Sequence, residues 1–217
     1  MSREQDAVSD RIDAPRGLRD PEILARRLSM LDRPHMTPLA AFCATLRTGA
    51  AAGDVVPDLD PLDGGIAARI LFLMEKPGPG AARTGLVSQD NDDQTAEACW
   101  RFLRAAGIDR RDVAFWNTAP WWNGTIRFTT AERARGLAAL PGLLDLLPAL
   151  RAVVCVGRQA ERARPMLEAR GLPVLASAHP SPQVRAGNAA RWRAIPETWA
   201  DARRFLADGV AGSGQPV

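Results

Sequence analysis

The chain has 217 residues, 46% hydrophobic and 24% charged, the balance of a soluble globular protein long enough to bury a sizeable core in one domain. A net charge of +3 and an isoelectric point near 9.2 are mildly basic and point to an anionic partner. Three scattered cysteines (Cys43, Cys99, Cys155) and two histidines (His35, His179) exclude four-thiolate clusters and histidine-rich metal sites.

In chain order, residues 1–20 read as a flexible lead; their polar start lacks the apolar centre of a signal peptide. Helical patterns cover 21–31 and 37–49, followed by a Pro/Asp/Gly-rich connection, AAGDVVPDLDPLDGG. Four short apolar runs read as buried strands: RILFLM at 69–74, DVAFWN at 112–117, AVVCVG at 152–157 and PVLASA at 173–178. Helices are expected between them at 92–106, with Asp92 or Asp93 as cap, at 130–147 and at 158–170. A last amphipathic helix is expected over 188–207, with residues 209–217 as a flexible tail, so that 21–208 form a single domain. No apolar run reaches about 18 residues, so no membrane span is expected, and a reduced cytoplasmic monomer is the simplest account.

Alternating strands and helices predict an α/β protein with a parallel sheet covered on both faces. In such sheets ligands bind beyond the carboxyl ends of the strands. The unusual residues of this chain lie there: Glu75-Lys76-Pro77-Gly78, Asn117-Thr118-Ala119-Pro120, Gly157-Arg158-Gln159 and His179-Pro180-Ser181-Pro182. All four segments are expected to face one crevice.

Neither a P-loop nor a GxGxxG dinucleotide loop is present, since Lys76 precedes its glycines. GPGAARTG instead offers backbone N–H groups to a phosphate or a flat polar ring. His179, in a loop stiffened by prolines, suits a hydrogen-bond donor to an anion forming on a substrate, a role worth about 10²–10³ in rate, or else a local structural bond. Asn117 carries donor and acceptor together and suits either the edge of a pyrimidine or a turn. Trp116, Trp121 and Trp122 can stack a base or roof the core.

PGPGAARTG resembles the PGP-x-G-x-A-x-TG segment of the single-strand-selective monofunctional uracil-DNA glycosylases. HPSPQVRAGNAARW is similar to that family's HPSP loop with its following Asn and Trp, and VAFWNTAP stands in the place of the strand ending in the uracil-reading Asn. Glu75-Lys76-Pro77-Gly78 resembles the Glu-Ala-Pro-Gly of the iron–sulfur uracil glycosylases. The resemblance spans residues 69–205. It implies a three-layer α/β/α fold with a four-stranded parallel sheet, and hydrolysis of the N-glycosidic bond of a damaged base flipped out of DNA, without metal or cofactor. Carried over by position, Asn117 reads the base edge and His179 bonds the O2 of the departing uracil anion. Gly78 and Pro79 hug base and sugar. Gln183, Val184 and Arg185 form the wedge, with Ser181, Arg185, Arg191 and Arg193 toward DNA.

The sequence departs from the family at Lys76, where the monofunctional enzymes carry a water-positioning Asn, and at Ser88 in the base-binding segment, near the place of a Phe that stacks on uracil. A lysine ammonium about 4 Å from the cationic sugar would oppose cleavage by about 4 kcal/mol at an effective dielectric near 20. Three outcomes follow. Lys76 pairs with Glu75, another carboxylate or a phosphate; or it is neutral and attacks the sugar; or the site is inactive. Glu75 can take the water-activating task. The alternatives to a glycosylase are a catalytically inactive DNA- or nucleotide-binding relative and a small α/β enzyme acting on a free nucleotide.

Overall fold

The computed structural model describes residues 12–207. The strands among them are β1 (Asp58–Leu59), β2 (Ile70–Met74), β3 (Leu86–Val87), β4 (Val113–Asn117), β5 (Ala152–Val156) and β6 (Val174–Ser177). The helices are α1 (Pro21–Leu28), α2 (Thr37–Thr48), α3 (Pro79–Thr84), α4 (Gln94–Ala105), α5 (Thr130–Leu144), α6 (Arg164–Ala169), α7 (Pro182–Gly187), α8 (Ala189–Arg193) and α9 (Ile195–Ala200). Strands β4-β2-β5-β6 form one parallel sheet in that order, and β1 pairs with β3 in a small parallel ribbon beside it.

The runs ILFLM, VAFWN and AVVCV are apolar at nearly every position because both faces of their sheet are covered. On one face Phe72 and Phe115 stack at 5.0 Å and meet Trp199 of α9, which packs edge-on against Phe102 of α4. On the other, Trp116 meets Phe42 of α2, and α2 touches α5. The result is the expected three-layer α/β/α arrangement. Asp93 caps α4 by accepting from the N–H groups of Thr95 and Ala96, both at 2.9 Å.

Four expectations need correction. Residues 12–20 are not a loose lead: Leu18 is buried, and the Asp13 carboxylate accepts from Trp100 Nε1 at 3.1 Å, Arg104 at 2.9 Å and Arg110 at 2.7 Å. The rest of the lead and the 209–217 tail lie outside the described residues. The connection over 51–65 is largely buried from Val56 onward and supplies β1 together with three buried aspartates. GPGAARTG, expected to offer its backbone N–H groups, is instead mostly helix: Pro79 starts α3 and Gly85, at φ 74°, ends it. The helix expected over 188–207 is broken into α8, α9 and a 3₁₀ turn: Asn188 leaves helical geometry to cap α8, and Pro196 sits in the first turn of α9.

Candidate active site

All four long strands run parallel, so their carboxyl ends meet at one edge of the sheet. A cavity of about 1020 Å³ opens there, and the segments following β2, β4, β5 and β6 all line it. Asn117 is the last residue of β4 and His179 lies two residues beyond β6. These are the outer strands, three spacings of about 4.8 Å apart, so the two side chains enter the same cavity from strands roughly 14 Å apart.

Asn117 is 3% exposed, and its Nδ2 is buried without a hydrogen-bond partner. Its backbone is held by the register with Met74, and the next two residues continue the attachment, Thr118 N donating to Met74 O at 2.8 Å and Ala119 N to Glu75 O at 2.9 Å. A rigid mount under an unsatisfied amide leaves a donor free for a polar group entering the cavity. No hydrogen bond joins His179 to any described residue. Burial pulls its pKa down to about 4, so the imidazole is neutral near pH 7.

Glu75 follows β2. Its Oε1 accepts from Gln159 N at 3.3 Å, and burial raises its pKa against the opposing pull of that bond and of Arg158. Gly157 makes the contact possible: at φ 93°, a Cβ there would lie 2.6 Å from Glu75 Oε1. Lys76 turns elsewhere. Its Nζ donates to Asn123 Oδ1 at 2.5 Å, Glu132 Oε1 at 2.7 Å and Arg127 O at 3.0 Å. An ammonium has three donors, and all three are taken. Burial would raise the Glu132 carboxyl, but bonds from Lys76 and Thr129 outweigh it and bring it to about 2. Of the three outcomes for Lys76 the geometry matches the first, pairing with a carboxylate other than Glu75: its nitrogen is held by the Glu132 carboxylate, the Asn123 amide oxygen and the Arg127 carbonyl, which corrects the expectation of a catalytic Lys76.

The sequence profile of the Uracil DNA glycosylase superfamily matches residues 61–203, more than half of the chain and every strand end described above. The chain belongs to the uracil DNA glycosylase superfamily. Among solved structures, it is similar to the solution NMR structure of a candidate uracil DNA glycosylase from Methanosarcina acetivorans, with 17% identity, a TM-score of 0.43, and coverage of 64% of this chain and 92% of that one. No curated protein matches.

Within this member of the superfamily, the wall formed by residues 88–91 rests on a buried charge cluster that the sequence did not announce. Arg27 donates to Asp60 at 2.6 and 2.8 Å and to Asp90 at 2.9 Å. Arg110 reaches Asp63, Asp90 and Asp60 at 2.9–3.2 Å. Burial and the neighbouring carboxylates lift Asp63 to about 8 despite Arg110, so one carboxyl keeps its proton at neutral pH. Ser88 lines the cavity, but its hydroxyl donates to Asp60 and accepts from Asp90 N at 3.0 Å. Its one proton faces the cluster, so in this arrangement the hydroxyl does not donate into the cavity.

Gly78 and Pro79 line the cavity as expected, and a Cβ on Gly78 would meet nothing within 4 Å. Ser181, Gln183, Val184 and Arg191 also line it. The wedge expected at 183–185 is the first turn of α7: Ser181 is its N-cap, accepting from Val184 N at 3.4 Å, and Val184 is half-buried. Arg185 is exposed and lies 5.1 Å above the Trp192 ring. Trp116 and Trp121 are core residues, and neither they nor Trp122 lines the cavity. The aromatic residues that do are Phe115 and Phe128. Phe115 was discoverable, because it stands two residues before Asn117 on the same face of the strand. Gln89, buried with Oε1 unpartnered, and Ile126 were missed as well, having no motif to mark them. Among the described residues no His/Cys/Asp/Glu group is arranged to hold a metal ion, and no helix is long and apolar enough to cross a membrane.

Proposed function

We propose that this protein is a DNA glycosylase that hydrolyses the N-glycosidic bond of uracil or another deaminated base during base excision repair. The observation that carries the reading is the pairing of an unpartnered buried amide, Asn117, with a neutral unpartnered imidazole, His179, in one cavity at the carboxyl edge of the sheet. Asn117 bonds the edge of the extruded base. His179 donates to the oxygen that becomes anionic as the base leaves, without the desolvation that an imidazolium would have to suffer there. Glu75 steadies the cationic sugar and orients water. Gly78 and Pro79 let the nucleotide approach the backbone. Exposed Gln183, Arg185 and Arg191 meet the DNA strand, with phosphates as the partners of the arginines. Within the superfamily, the PGP and HPSP segments ally the chain with the single-strand-selective monofunctional enzymes.

The test is a gel assay on single- and double-stranded oligonucleotides carrying uracil, hypoxanthine or xanthine, with alkali revealing abasic sites. Cleavage of at least one, reduced by Asn117→Ala and His179→Ala, is expected. A folded protein that binds these oligonucleotides and excises none of the three bases would defeat the enzymatic reading. It would favour a non-catalytic DNA-binding relative, which the loss of an aromatic side chain at Ser88 also suggests.

A further inference from the structure

Ile126 is 79% exposed, far more than any other large apolar side chain among the described residues. A single exposed isoleucine is ordinary on a protein surface. This one lines the cavity from the loop joining β4 to α5. The loop is tied down on all sides. Trp121 is buried beneath the Arg135 guanidinium, 3.5 Å from its ring, and Trp122 exchanges two backbone bonds of 2.8 Å with Val55. Thr129 and Glu132 form a capping box at its far end. Lys76 closes the loop across its middle, holding Asn123, the Arg127 carbonyl and Glu132 together, and Asn123 Nδ2 adds a bond of 2.9 Å to Glu132.

So much fixation around an exposed apolar side chain makes sense when that side chain must enter something. Architectural and base-flipping proteins insert such side chains between base steps. On the opposite part of the rim, Val184 is half-buried within α7 and less free to enter a duplex. The exposed Arg127 and Arg158 flank the approach with positive charge suited to phosphates. We propose that Ile126 is a wedge that enters the DNA base stack beside the extruded nucleotide, and that Lys76 is the positioning residue that holds it there. This rests on the reading that the cavity receives a base extruded from DNA.

The experiment compares the full chain with Ile126→Ala, Lys76→Met and the double variant. Two quantities are measured. One is the ratio of excision from duplex to excision from single-stranded oligonucleotide. The other is the fluorescence of 2-aminopurine placed beside an abasic analogue in a duplex, which rises when a neighbour is unstacked and needs no chemistry. Ile126→Ala is expected to lower the ratio about tenfold and to suppress the fluorescence rise, since tenfold corresponds to a modest share of the cost of unstacking one step. Lys76→Met is expected to do the same, and the double variant to be no worse than either single change, because both act through one side chain. If Ile126→Ala matches the parent in both readouts, the wedge is overturned while the glycosylase reading stands. If the parent neither excises a base nor perturbs 2-aminopurine in any duplex, both fall together.

Discussion

The neutral state of His179 has consequences that a titration and a substitution test together. An imidazole with a pKa of about 4 is protonated to only about 0.1% at pH 7, and charging it there would cost about 4 kcal/mol. The cause is burial alone, since no acid faces it to favour the cation. In the unfolded chain the same group titrates near 6.5 and so binds more protons than the folded chain between pH 6.5 and pH 4. Its contribution to stability is complete above pH 6.5 and is lost as pH falls toward 4, by up to about 3 kcal/mol. Catalysis through the neutral ring predicts no inflection from this residue between about pH 5.5 and 8. His179→Ala should slow single-turnover excision by about 10²–10³. With only two histidines in the chain, ¹⁵N-resolved NMR of the parent and of His179→Gln assigns the ring directly. A His179 resonance titrating between pH 6 and 7, or an alanine variant within a few-fold of the parent rate, would refute this account of the leaving-group end of the site.

Asn117→Leu removes a buried donor that lacks a partner, a group whose burial costs about 1–3 kcal/mol. The variant should lose excision yet melt no lower than the parent, and higher by a few degrees if the full cost is recovered; a marked fall in Tm would make Asn117 a structural residue. Asp63 holds a proton up to about pH 8 when folded but only to about 3.8 when unfolded, so the folded chain binds more protons across that window and loses stability as pH rises. Between pH 5 and 6.5 the opposite slope of His179 offsets this one, so urea unfolding should show it between about pH 7 and 8, at most about 1.4 kcal/mol per pH unit, and Asp63→Asn should flatten it there. Glu75→Gln keeps an acceptor for Gln159 N but removes the charge; excision should fall about 10²-fold or more while affinity for an abasic-site duplex is retained, as measured by fluorescence anisotropy.

The sheet was readable because its strands are buried on both sides, which writes each of them as an unbroken apolar run. Once those runs were placed, strand polarity carried Glu75, Asn117 and His179 to a common edge with no knowledge of their contacts. Long-range polar pairing was not readable. Glu132 lies 56 residues from Lys76, and nothing in either neighbourhood announces the partner. The segment around Asp58, Asp60 and Asp63 has the composition of a solvated loop and is buried with its charges met from elsewhere in the chain, Asp60 and Asp63 by Arg27 and Arg110 and Asp58 by Arg47. Helix α3 is a different case: Pro at its first position and a left-handed Gly just past its end are ordinary helix punctuation, read above only as backbone N–H groups open to a ligand.

These pairings bear on the charge that the cavity presents. Glycosidic cleavage separates a cationic sugar from an anionic base, so a site helps most when negative charge faces the sugar and a hydrogen-bond donor faces the base. A free ammonium at the end of β2 would oppose that polarity. Bound to Glu132 at 2.7 Å, Lys76 becomes half of a neutral pair whose field falls off faster than that of a lone charge. On the proposed function, Glu75, one residue earlier, would bring a carboxylate to the sugar, while His179 would serve the base from the opposite edge of the sheet. A lysine in this position is compatible with glycosylase chemistry because Glu132, in the first turn of α5, supplies its counter-charge, and the loop leading into that helix carries Ile126 to the rim.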